Sequence, residues 1–94
     1  MSKHYDYKLY DLDLNFLREV EVIPDNFTGM TYYNANKSKW WRKNRKPHRI
    51  GGPAKVWDET DPSYCEPQYY IDGKLVTKEY HDILFNMMKL KGLI

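Results

Sequence analysis

His48 and Arg49 are the adjacent pair best suited to chemistry in this chain. An imidazole exchanges protons near neutral pH, and a guanidinium grips a phosphate or carboxylate at two points. Together they would suit a small anionic ligand, bound or turned over in a concave site around their turn. The competing reading uses both side chains inside a hairpin, hydrogen-bonded to backbone carbonyls, and the flanking sequence favours it. Other catalytic combinations are missing. His4, His48 and His81 are far apart, with no His/Cys cluster at ligand spacing and no His-Glu-x-x-His, so no metal or other cofactor is expected. Cys65 lies between Tyr64 and Glu66, where acidic surroundings oppose thiolate formation, and is expected to be an inert thiol. Neither a glycine-rich phosphate loop before a helix nor a Gly-x-Ser-x-Gly elbow occurs, and the chain is not expected to be an enzyme.

The richest functional feature is a basic run interleaved with indoles: Lys37, Lys39, Trp40, Trp41, Arg42, Lys43, Arg45, Lys46, His48 and Arg49. Residues 26–57 hold eight Lys/Arg and no acid, whereas the segments on either side each carry three more acids than cations. Such asymmetry points to an anionic partner or an internal charge match. Cations that track a phosphate backbone and an indole that stacks on bases would make a nucleic-acid surface. The same residues would grip an acidic protein, with an exposed Trp as anchor and Arg beside it. The plainest alternative is the solvated side of a hairpin with one Trp in the core. At strand spacing Trp40 and Trp41 point to opposite faces, so at most one is core on a one-sided sheet.

These residues need elements to position them, and the patterning predicts β-hairpins followed by one helix. Tyr5, Tyr7 and Leu9 alternate with Asp6, Lys8 and Tyr10, a half-buried strand in a stretch that runs to Leu14. Phe16 to Ile23 is a second strand, ended by Pro24-Asp25-Asn26. Three segments then place aromatics before a polar turn ending in lysine: Tyr32 to Lys37, Trp41 to Lys46, and Tyr69 to Lys74. Asp72-Gly73 is a strong hairpin turn; Asn36 and Asn44 adopt positive φ less easily. Gly51-Gly52-Pro53 leads into a further strand at Ala54 to Trp57, and Asp58 to Pro67 reads as an exposed loop. From Thr77 the period changes to that of a helix over about 78–91, with Thr77 as N-cap, Glu79 near its positive end, Lys89 and Lys91 near its negative end, and Gly92 as its stop. Tyr80, Ile83, Leu84, Met87 and Lys91 share one face, expected to pack on the sheet with Met87 of the Met87-Met88 pair in the core.

From Lys43 to Ala54, with Trp57 and then Tyr69 to Leu75, the sequence resembles a repeat common in small proteins of tailed bacteriophages. That repeat reads as an aromatic strand, Asn-Gly-Lys, a spacer, His-Arg, two residues, Gly-Pro-Ala and another aromatic strand. The match spans residues 40–76, about two-fifths of the chain. Arg45 stands where the repeat has glycine, and Val76-Thr77 replace His-Arg in the second unit, leaving roughly one and a half units. The resemblance implies a phage origin and a hairpin-rich fold, and it transfers no chemistry to particular residues.

The expectation is therefore an α+β protein: an antiparallel, hairpin-rich sheet over residues 4–76 closed by one C-terminal helix. At 94 residues, with 41% hydrophobic and 16% aromatic residues, the chain suits a single domain with one core. No apolar run reaches membrane-spanning length, no signal-peptide core follows Met1, and one cysteine makes no internal disulfide, so a reducing cytoplasm is the expected location, that of the bacterial host if the chain is phage-encoded as the resemblance implies. Function is expected to be that of a phage accessory protein that binds and modulates a host protein, such as a defence factor or nucleic-acid enzyme. The contact residues are expected to be Trp40, Trp41, Arg42, Lys43, Arg45, Lys46, His48 and Arg49. A nucleic-acid module is the first alternative and a ligand site or enzyme at His48 and Arg49 the second, and an exposed edge strand leaves a homodimer open.

Overall fold

A computed structural model describes residues 5–94. The protein is α+β. Eight strands precede one helix: β1 Tyr7–Tyr10, β2 Phe16–Val20, β3 Gly29–Tyr33, β4 Ser38–Lys43, β5 Lys46–Pro47, β6 Lys55–Val56, β7 Tyr69–Ile71, β8 Lys74–Val76 and α1 Lys78–Leu90. The first six form an antiparallel sheet in the order β2-β1-β3-β4-β5, with β6 pairing the other half of β4; β7 and β8 form a separate hairpin. The expected start of the first strand at residue 4 lies outside the described residues, as does His4.

The first strand is shorter than alternation suggests. Asp11 ends it, because its carboxylate accepts the amides of Asp13 and Asn15, both at 2.9 Å, and holds residues 11–15 as a turn with Leu14 at φ 65°. The second strand likewise stops at Val20, short of Ile23, which is buried. All three aromatic-polar-lysine segments are hairpins. In the first, Asn36 Oδ1 accepts the Ser38 amide at 3.0 Å, and Lys37 rather than Asn36 takes the left-handed conformation (φ 60°). In the other two, Asn44-Arg45 and Asp72-Gly73 are equivalent two-residue turns with positive φ throughout.

Both faces of the large sheet are thinly covered. Leu9 is buried on one face and Met30 on the other, since Leu9 pairs with Thr31 while Tyr10 pairs with Met30. Tyrosines complete each layer, as in the Tyr7–Tyr33 ring contact at 5.1 Å. Ala54, fully buried, joins the parts: Trp41 N–H donates to its carbonyl at 2.7 Å and its own N–H donates to Gln68 at 2.9 Å.

The helix is capped as the sequence predicts. Thr77 Oγ1 accepts the Tyr80 amide at 3.0 Å, and Gly92 (φ 70°) closes the far end with the Gly92 amide on Lys89 O and the Leu93 amide on Met88 O. The face it buries is not the expected one. His81 is buried beside Tyr69 and Phe85, with Leu84 and Met88 half-buried, while Tyr80, Ile83 and Met87 are exposed. Met87 is thus a surface residue. The docking is set by a polar contact: Gly51 N–H donates to His81 Nε2 at 3.0 Å, which leaves the neutral ring's proton on Nδ1, 3.0 Å from Asp82 Oδ1. Among the described residues no helix is long and apolar enough to cross a membrane.

Candidate functional site

The basic-aromatic run occupies β4, β5 and the segment after them. Trp40 and Trp41 lie on opposite faces, as strand spacing requires, and neither is fully buried. Each indole is covered by the chain's own cations. Lys55 Nζ stands 3.7 Å and Arg42 Cζ 4.8 Å from the Trp40 ring, and Arg49 Cζ lies 3.9 Å from Trp41. These contacts occupy surface that a stacked base would need.

Arg49 sits in a slot that the Gly-Gly-Pro segment builds. Its guanidinium lies between the Trp41 ring and Gly52, where a Cβ would approach Cζ to 2.8 Å, and Nη1 donates to Pro53 O at 3.2 Å. Glycine at 52 therefore serves close approach, a role that the reading of Gly-Gly-Pro as the lead into a strand did not include. Arg42 donates to Thr31 Oγ1 at 3.0 Å and to Arg45 O at 3.1 Å. Both guanidiniums are half-buried, and that burial lowers their pKa values from the ordinary arginine value. Among the described residues no carboxylate pairs with either.

His48 acts differently from the expected carbonyl partner. Its Nδ1 accepts the Asp72 amide at 2.9 Å, the donor that the tight turn of the next hairpin leaves unpaired within that hairpin. Gly73 N–H reaches Pro47 O at 2.8 Å and Arg49 N–H reaches Tyr70 O at 3.2 Å, so residues 47–49 clamp the β7–β8 hairpin. Burial holds the imidazole pKa below its usual value, with the Asp72 carboxylate opposing. A general base at Nδ1 would have to surrender this structural bond.

At the hairpin tip Lys43 and Lys46 stand directly opposite each other, a like-charge pair that costs stability. Between them Arg45, at φ 69°, bonds Asp25 Oδ1 at 2.9 Å, and the Asn44 and Arg45 amides reach Thr28 Oγ1 and Phe27 O. Beside this tip a cleft of about 550 Å³ opens, with Leu12, Leu14, Trp41 and Ile50 as apolar lining and Lys43 and Arg49 as charged lining; His48 also borders it, as does Arg42, whose guanidinium lies on the other face with Trp40 and Thr31. Leu12 and Leu14 are more than half exposed.

Comparison with protein-family models, curated proteins and solved structures returned no match. The site's meaning rests on its own geometry. The cleft gathers Trp41, Lys43, His48 and Arg49; Trp40 and the Arg42 guanidinium lie on the other side of the sheet, and Arg45 and Lys46 belong to the tip. Leu12, Leu14 and Ile50 were missed because a turn leucine carries no sequence signal for the surface it meets. Among the described residues no group of His, Cys, Asp and Glu is arranged to hold a metal ion, and Cys65 is exposed in the 58–67 loop.

Proposed function

We propose that this chain is a small phage accessory protein that binds and modulates a host protein through the cleft beside Trp41, with an acidic, apolar segment of the partner as the occupant. The observation that carries this reading is the half-buried guanidinium of Arg49, which borders an apolar cleft without a carboxylate partner among the described residues. A desolvated, unneutralised cation gains more from an incoming carboxylate than a solvated one does. The leucines and Ile50 supply apolar contact, and the Lys43–Lys46 repulsion is relieved when an anion arrives. Phage origin rests on the resemblance over residues 40–76. Nucleic acid is less well served, because the indole faces are occupied by Lys55, Arg42 and Arg49.

The test is retention of bacterial proteins by the tagged chain after nuclease treatment, compared with Lys43→Glu and Leu14→Asp. Both positions are exposed, so circular dichroism should show the fold intact. A protein retained stoichiometrically by the parent and lost by both variants is the expected result. Equal retention by all three, or no retained protein, would remove the proposal. Recovery of nucleic acid alone, falling steeply with salt, would favour the nucleic-acid module instead.

A further inference from the structure

The helix carries a second apolar surface that the fold leaves unused. Tyr80, Ile83, Met87 and Leu90 are 57%, 62%, 47% and 88% exposed, and they follow one another at intervals of three, four and three residues. That is the a/d spacing of a two-stranded helical seam, and it runs about 15 Å along α1. The opposite side of the same helix is the one docked through His81 and Phe85. Four side chains at this exposure offer on the order of 500 Å² of mostly apolar surface, as large as the largest patch a typical monomer shows.

We infer that this face pairs with the same face of a second copy, the two helices running antiparallel about a two-fold axis. In that arrangement Tyr80 meets the partner's Leu90 and Ile83 meets the partner's Met87, so all four residues are used twice with none left over. Self-complementarity of this kind is what a two-fold interface demands. Charge selects the antiparallel sense. The N-terminal half holds Glu79 and Asp82 against Lys78, and the C-terminal end holds Lys89 and Lys91. An antiparallel pair sets the acidic end of one helix beside the basic end of the other and opposes the two helix dipoles; a parallel pair would crowd four lysines together. The surface is separate from the Trp41 cleft, so the dimer presents two clefts, and neither proposal depends on the other.

Sedimentation equilibrium across a concentration series tests the pairing. The full chain should move from 11.4 kDa toward twice that mass by on the order of 100 μM. Leu90→Glu and Met87→Glu should stay monomeric at least tenfold higher in concentration while keeping the parent's circular dichroism spectrum, and Leu12→Glu in the cleft should dimerise like the parent. Leu90 is almost fully solvated, so its replacement leaves the monomer's packing untouched. A parent that remains at 11.4 kDa up to about 1 mM overturns the inference. So does a dimer unaffected by both helix variants, which would place the contact elsewhere, for example at the β2 edge.

Discussion

His48 is the residue where the competing readings of this chain separate. Its Nδ1 holds the Asp72 amide, and a protonated ring has no lone pair to offer there. Because burial holds the folded pKa below the ordinary 6.5, the unfolded chain binds more protons as the solution acidifies. The stability that this imidazole contributes is therefore complete above about pH 6.5 and is lost as pH falls through the folded value. His48→Asn offers an amide oxygen near the same place and does not titrate. Between pH 7.5 and 5.0 the parent's melting temperature should fall further than that of His48→Asn; parallel curves would show that the Asp72 contact does not govern this response. The sequence marked His48-Arg49 as a working pair. It did not reveal that the partner of His48 lies 24 residues away.

At the scale of elements, the two tight turns make a controlled comparison. Asp72-Gly73 uses glycine at φ 84°, whereas Asn44-Arg45 forces arginine to φ 69°. A left-handed L-residue costs about 1–2 kcal/mol, and the exposed Arg45–Asp25 pair returns about 1 kcal/mol or less. Arg45→Gly should then stabilise the protein by up to about 1 kcal/mol in urea titration, after the extra chain entropy of glycine is deducted. Destabilisation instead would mean that the Asp25 bond outweighs the backbone cost. Hairpin positions were readable because turn chemistry is local. The helix shows the limit of periodicity: 81, 84, 85 and 88 make one apolar stripe and 80, 83, 87 and 90 another, and spacing alone ranks neither.

Across the whole molecule, the extents of 53 × 28 × 20 Å explain why so few side chains are fully buried. Cohesion comes instead from hydrogen bonds that converge on Ala54, Lys55 and Gln68, where the large sheet meets the β7–β8 hairpin. Hydrogen exchange should follow this plan. The amides of Trp41, Ala54 and Gln68 are expected to exchange only on global unfolding, and those of Asp13 and Asn15, held by the exposed Asp11 carboxylate, by local opening at a rate at least a hundredfold greater. Uniform protection would contradict a structure held at one junction. The same thinness leaves two apolar surfaces facing outward, the Trp41 cleft and the outer helix face, and these carry the two binding proposals.

The sequence by itself determined the hairpins, the helix with both its caps, and the opposite facing of Trp40 and Trp41, since each depends on residues within a few positions of one another. The tertiary structure alone decided which helix stripe is buried, that the indoles are covered by Lys55, Arg42 and Arg49, and that Leu12, Leu14 and Ile50 share a cleft with Trp41. Those outcomes turn on contacts between distant segments, above all the Gly51 amide on His81, 30 residues apart. Local patterning shows that a face is apolar; only the docked partner, with its own donors and acceptors to satisfy, selects the face that is covered.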